Sequence, residues 1–148
     1  MNEELFQLGI KALIRDRDGK ILLLKVNPAK LKKVPGWSGE AYWDIPGGRL
    51  KQGAIIEDTL RREVEEETGI TAFVSMRPFS MVLSPIRIPW GDTHVGLILS
   101  IYIVEVEGAD SIRLSDEHVE ARWASPREAS APLTFKYPKE FTKKVAAL

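Results

Sequence analysis

Three glutamates lie close together in a short charged segment of this sequence. Glu63, Glu66 and Glu67 are spaced i, i+3 and i+4, so a helix would place their carboxylates on one face. Like charges at this spacing destabilise an isolated helix by roughly 0.2–0.5 kcal/mol per pair. A divalent cation would remove that repulsion, and carboxylates without Cys or His beside them suit a hard ion. The spacing therefore predicts a site for Mg²⁺ or Mn²⁺.

The same segment also fits an ordinary surface helix. Opposite charges stand at i,i+4 in the pairs Glu57–Arg61 and Arg62–Glu66. On spacing alone, a solvated face is the commoner explanation of such a charge run. The turn Pro46-Gly47-Gly48, which comes shortly before the segment, favours a site because a glycine backbone can approach a ligand or an ion closely.

The turn and the charged segment together resemble the signature box of the nudix hydrolases. That box runs Gly, five residues, Glu, seven residues, Arg-Glu, an aliphatic residue, any residue, Glu-Glu, any residue, Gly and an aliphatic residue. Residues 48–70 match every fixed position except one, because Ala54 stands where the family carries its first Glu. The resemblance implies an α+β fold, a nudix-like α/β/α sandwich with a mixed β-sheet between helices, formed by residues 1–148 as a single domain.

The resemblance also implies a reaction. Nudix enzymes hydrolyse a nucleoside diphosphate linked to another moiety, with metal ions that neutralise phosphate charge and activate water. The box does not distinguish a nucleoside triphosphate from an ADP-ribose-like substrate or a nucleotide sugar. A catalytically weakened nucleotide-binding or sensor module is the alternative. Loss of a supporting carboxylate at Ala54 leads us to expect reduced hydrolysis, unless Glu57 reaches Arg62 instead.

Roles for individual residues follow from the positions that match the box. The resemblance implies that the metal ligands are Glu63, Glu66, Glu67 and the carbonyl of Gly48. Arg62 in such sites orients the carboxylates through charged hydrogen bonds.

A further catalytic carboxylate often comes, in this family, from a loop ahead of a late strand that carries a tryptophan. Asp116, Glu117 and Glu120 precede Trp123, and we select Glu117. All three could equally be surface charges.

Candidate substrate contacts lie in loops rich in proline and glycine. Residues 27–40 form a basic loop that carries Trp37, which could stack on a nucleobase or pin the loop to the domain. The full set of candidate substrate contacts is Trp37, Arg49, Arg87, Trp90 and His94.

Composition places few further limits on function. The chain has 148 residues, a formal net charge of zero and no cysteine. We expect one domain, no disulfide or thiolate metal site, and no attraction to long nucleic acid or an anionic membrane. The expected partner is a nucleotide-derived small molecule, the expected location is the cytoplasm, and the expected state is a monomer or homodimer.

Periodicity predicts the elements that must position these residues. The expected strands are 8–15 and 21–26 as a hairpin, 70–74 and 80–83 interrupted near Pro78, 95–106 as a central strand, and 119–124. Residues 84–92 are expected to form a loop. The expected helices run from Ile55 or Ile56 to Thr68, with Gly69 as the stop, and over 138–148.

Overall fold

The computed structural model describes residues 2–31, 38–108 and 111–148. In this part of the chain, eight strands form one mixed sheet. The strands are β1 (Phe6–Arg15), β2 (Ile21–Val26), β3 (Trp43–Asp44), β4 (Gly47–Arg49), β5 (Ser75–Leu83), β6 (Ile88–Trp90), β7 (Thr93–Glu105) and β8 (His118–Ala124). The α-helices are α1 (Ile56–Thr68), α2 (Pro126–Ser130) and α3 (Lys139–Ala146), and 3₁₀ turns occupy Pro28–Lys30 and Ala131–Thr134.

Strand β1 lies at the centre of the sheet. It runs parallel to β7, and the main path of the sheet is β3-β2-β1-β7-β5, with β8 added beside β2. On its other edge β1 pairs antiparallel with β4, which sets Gly47 opposite Lys11 and Gly48 opposite Ile10. This register brings the glycine turn against the middle of the central strand.

Helices cover both faces of the sheet. Leu60 and Val64 of α1 are fully buried against one face, together with aliphatic residues of β1 and β2. Phe141 and Val145 of α3 are fully buried against the other face. The predicted α+β sandwich, with a mixed sheet between helices, is therefore confirmed. Among the described residues, no helix combines the length and the apolar character needed to cross a membrane.

Helix α1 has the predicted bounds. Its N-cap residue Ile55 makes no side-chain capping hydrogen bond, which costs about 0.5–2 kcal/mol relative to Ser or Asp. Glu57 and Asp58 in the first turn offset part of this cost through the helix dipole. At the other end, Gly69 adopts the left-handed conformation (φ 81°) and its N–H donates to the carbonyl of Glu65. Glycine is suited to this conformation, and it stops the helix.

Two predictions about strands were wrong. Residues 70–74 are not a strand, since β5 begins at Ser75 and continues through Pro78 with an irregularity before Ser80. Proline is tolerated there because β5 lies at the edge of the sheet. The expected loop 84–92 contains β6, which pairs with the start of β7. The predicted hairpin of β1 and β2 is confirmed, since the two strands pair antiparallel beside their turn at Arg15 and Ile21, and β4 pairs with the same edge of β1 farther along.

Candidate functional site

The glycine turn packs directly against the acidic face of α1. A Cβ atom at Gly48 would lie 2.7 Å from Cδ of Glu63, so any larger residue would force this carboxylate to move. At Gly47, with φ 154°, a Cβ atom would collide with the backbone of β1. The N–H of Gly47 points to Oε2 of Glu67 at 3.4 Å. The glycine turn and α1 are therefore in direct contact.

The three glutamates of α1 have different environments. The side chain of Glu67 is only 4% exposed, that of Glu63 is 18% exposed, and that of Glu66 is 60% exposed. Burial raises the pKa of Glu67 to about 8, the charges of Glu63 and Glu117 raise it as well, and Lys11 acts in the opposite direction. Glu67 is therefore a buried carboxyl group that lacks sufficient positive charge around it.

Next to Glu67 lies an imidazole that sequence reasoning missed. The Nδ1 atom of His118 is 4.0 Å from Oε2 of Glu67, and it is buried without a hydrogen-bond partner. Burial lowers the pKa of His118 to about 4, and the nearby Lys11 lowers it further. The ring is therefore neutral at pH 7. The position of His118 directly after the candidate Glu117 could have marked it as a site residue. Spacing alone could not show which way its ring points.

Arg62 contacts the glutamates of its own helix. Its guanidinium lies 3.3 Å from Oε1 of Glu63 and 3.9 Å from Oε1 of Glu66. Glu57 is paired with Arg61 instead, at 3.1 Å. The suggestion that Glu57 replaces the carboxylate missing at Ala54 therefore finds no support in this arrangement.

A second charged cluster, which sequence reasoning also missed, lies behind the glycine turn. Asp44 is buried, and its Oδ2 accepts from Lys11 at 3.2 Å and from Lys136 at 2.8 Å. Its Oδ1 accepts from the Tyr137 hydroxyl at 2.6 Å and from the N–H of Ile45 at 2.7 Å. Burial alone would raise the pKa of Asp44, but the two lysines and these hydrogen bonds hold it well below its usual value. The sequence did contain a signal for this cluster, because Lys11 is a charged residue among the apolar residues of β1.

An open cleft connects these groups. It has a volume of about 510 Å³, and its wall includes Gly48, Arg49, Glu117, Lys11 and Lys136. A smaller pocket of about 140 Å³ shares Lys11, Lys136 and Glu117 with this cleft. Its wall also contains Glu67, His118 and Asp44. The cleft therefore borders the acidic residues on one side and the lysine cluster on the other.

Four of the six predicted catalytic and metal residues gather at this place, while Arg62 and Glu66 are exposed. Gly48 and Glu117 line the cleft, Glu67 lines the smaller pocket, and Glu63 lies against Gly48. Glu66 is largely exposed on the far side of Arg62.

The predicted substrate contacts are more dispersed. Arg49 lines the cleft, whereas Arg87, Trp90 and His94 lie on the β6–β7 hairpin and do not line it. Arg87 forms an ion pair with Glu4 and donates to the carbonyl of His94 at 3.1 Å. Ile88 and Pro89 of the same hairpin do reach the cleft. Trp37 lies outside the described residues.

Comparison with known proteins assigns the family. The sequence model of the NUDIX domain family matches residues 5–145. The chain belongs to the NUDIX family. A CTP pyrophosphohydrolase of Escherichia coli is 30% identical over 122 residues, which are 82% of this chain and 78% of that protein. An ADP-ribose pyrophosphatase of Methanocaldococcus jannaschii is 32% identical over 112 residues, 74% of this chain, and the match spans only 57% of that relative's length.

Solved structures of nudix proteins agree with the fold. The MutT protein of Methanosarcina mazei superposes with a TM-score of 0.66 at 26% identity, covering 99% of this chain and 95% of that one. The dihydroneopterin triphosphate pyrophosphohydrolase of E. coli has a TM-score of 0.71 over 98% of this chain and 97% of that one. Its identity is only 15%, so this likeness concerns the fold alone.

Nudix hydrolases generally use divalent metals, and the donor atoms of this nudix chain suit such an ion. Glu63 and Glu67 supply carboxylate oxygens beside a glycine backbone, and no described side chain near them offers sulfur. Within the described residues, no three acidic or His side chains are already gathered as a ligand set. In this arrangement the Glu63 carboxylate is paired with Arg62, 3.3 Å away. Metal binding would therefore require Glu63 to turn away from Arg62.

Proposed function

We propose that this nudix chain is a pyrophosphohydrolase that uses Mg²⁺ or Mn²⁺ to hydrolyse a nucleoside diphosphate linked to another moiety. The observation that carries the proposal is the packing of Gly48 against Glu63, with Glu67 buried beside Gly47 at the edge of a cleft. A purely structural role leaves unexplained why a carboxyl group would be buried with so little compensating charge. A cation at this place would supply the missing charge.

Specific roles can be proposed for the residues around the cleft. Glu63, Glu67 and the carbonyl of Gly48 would hold the cation, with Glu66 as a further ligand after its side chain rotates. A cation held there neutralises phosphate charge and lowers the pKa of the attacking water. Glu117 enters the cleft from outside α1, so it can accept the proton of that water without leaving a ligand position. Arg49 would contact non-bridging phosphate oxygens.

The step itself is a displacement at phosphorus. The water oxygen forms a new bond to one phosphorus of the diphosphate, while the bond from that phosphorus to the bridging oxygen breaks. The bridging oxygen leaves with the second phosphoryl group, and the proton of the water passes to Glu117. The chain's contribution is to place the acceptor carboxylate and the phosphate on opposite sides of this water.

The substrate class is proposed from the relatives and the cleft. Matching proteins carry the names ADP-ribose pyrophosphatase, CTP pyrophosphohydrolase and putative 8-oxo-dGTP diphosphatase, the last from Bacillus subtilis at 33% identity over 73 residues. That last match spans 49% of this chain and 42% of the relative. All three names denote cleavage of a nucleotide with at least two linked phosphates. We therefore propose this class for the chain, with nucleotide sugars included.

A substrate panel with and without metal tests the proposal. We expect turnover of at least one among ADP-ribose, CTP, 8-oxo-dGTP and a nucleotide sugar in Mg²⁺ or Mn²⁺, and none in EDTA. Glu67→Gln should remove this turnover. Glu65→Gln is the matched control because Glu65 is an exposed residue on the same helix. Nucleotide binding by the wild type without turnover of any compound would favour the binding-module alternative instead.

A further inference from the structure

Two ammonium groups converge on one buried carboxylate oxygen behind the glycine turn. Lys11 Nζ lies 3.2 Å and Lys136 Nζ lies 2.8 Å from Oδ2 of Asp44. The side chain of Lys11 is 7% exposed, and that of Lys136 is 15% exposed. Two positive charges at such depth repel each other, and one carboxylate can balance only one of them.

Asp44 has no remaining capacity to satisfy these lysines. Its other oxygen, Oδ1, already accepts from Tyr137 and from the backbone of Ile45. Each ammonium has three N–H donors, and each directs one of them to Asp44. Across residues 2–31, 38–108 and 111–148, no other side chain or carbonyl accepts a hydrogen bond from either ammonium. The cluster therefore joins two lysines to one carboxylate and leaves several of their N–H donors free.

Both lysines border open space. Lys11 and Lys136 line both the 510 Å³ cleft and the 140 Å³ pocket beside it. Glu67 shares the smaller pocket and attracts Lys11 electrostatically, but its carboxylate is the one that the proposed function commits to a cation. Glu117 also lines both spaces, but among the described residues it forms no ion pair with either lysine.

We propose that Lys11 and Lys136, held in place by Asp44, form an oxyanion site that binds a phosphate or carboxylate group of the substrate. The proposal rests on the proposed function in taking the ligand to be a substrate. Planar or tetrahedral oxyanions fit because they offer several acceptor oxygens to ammonium donors only a few ångströms apart. The anionic group can be the diphosphate itself or an additional acidic group on the moiety attached to it.

Binding of inorganic pyrophosphate in EDTA tests the site without any hydrolysis. Lys136→Met should raise the dissociation constant roughly tenfold or more, since a hydrogen bond to a charged group is lost. Lys136→Arg keeps the charge and should restore most of the affinity, and its binding should retain the salt dependence of the wild type. Lys143→Met makes the same change at an exposed position on α3 and should have no effect. We substitute Lys136 instead of Lys11 because its side chain is the less buried of the two, at 15% against 7% exposed, and Asp44 still accepts from three donors without it.

The source of the anionic group is identified with a matched pair of ligands, UDP-glucose and UDP-glucuronate. If the site holds the diphosphate, Lys136→Met weakens both ligands equally. If it holds an added acid, the mutation removes only the advantage of UDP-glucuronate, and either result supports the site. Failure of the wild type to bind any of the three probes in EDTA, or equal affinities for the wild type and Lys136→Met, would overturn the proposal. Absence of turnover in the metal panel bears on the proposed function alone, because these measurements involve no turnover.

Discussion

Replacement of Glu67 by Gln should stabilise the metal-free protein while it removes the response to metal. The pKa of Glu67 is raised from 4.5 to about 8, so the folded protein retains this proton at pH values where the unfolded chain has lost it. The free energy of unfolding therefore falls as pH rises from about 4.5 to about 8. At about 1.36 kcal/mol per pKa unit, the full effect is at most roughly 5 kcal/mol, and the attraction of Lys11 is already included. Gln cannot ionise, and its oxygen can still accept from the N–H of Gly47.

Urea unfolding in EDTA at pH 5.5 and at pH 8 measures this effect. We expect the stability gained by Glu67→Gln to be small at pH 5.5 and to reach roughly 2–5 kcal/mol at pH 8. Glu65→Gln should show no such pH dependence, because Glu65 is exposed. Added Mg²⁺ should then stabilise the wild type by mass action but leave Glu67→Gln unchanged.

Three results would refute this reasoning. A variant that is less stable than the wild type at both pH values would show that the Glu67 carboxylate is well satisfied without metal. A gain of equal size at both pH values would show that the effect does not come from ionisation. Retention of the Mg²⁺ response by Glu67→Gln would place the metal elsewhere.

Three further substitutions test other parts of the site. Ala54→Glu should raise turnover at limiting Mg²⁺ by up to roughly 10–100-fold, because Arg62 would gain a supporting carboxylate. Equal or lower activity across the whole Mg²⁺ titration, with the fold intact, would show that Ala54 is no defect. Gly48→Ala would place its Cβ 2.7 Å from Cδ of Glu63, so metal titration should show weaker binding while the melting temperature changes little. Unchanged metal affinity would contradict the close packing of these two residues. Asp44→Asn removes the counter-charge of two buried lysines and should lower the free energy of unfolding by roughly 3–5 kcal/mol in urea titrations, and a loss below about 1 kcal/mol would contradict this.

Local sequence signals were enough to predict the box and its helix. The bounds of α1, its poorly capped start at Ile55 and its left-handed stop at Gly69 depend on neighbours a few residues away along the chain. The family and the sandwich could be predicted for the same reason, because the box combines a glycine turn with charges at rigid spacing. Strand bounds were harder to predict where pairing partners decide them, as in β5, which continues through Pro78 at an edge.

The surroundings of the site were decided by tertiary structure. Lys11, Asp44 and Lys136 are far apart in the sequence, and they meet because β1 pairs with β4 while the segment before α3 closes over Asp44. Spacing showed that Glu63, Glu66 and Glu67 could share one helical face, but burial separates them, since Glu67 faces the sheet and Glu66 faces solvent. A side chain's spacing follows from its own helix, whereas its burial and charge partners depend on what the rest of the chain packs against it. The sequence therefore determined the chemistry available at this site, and the packing of distant segments decided which groups are poised to use it.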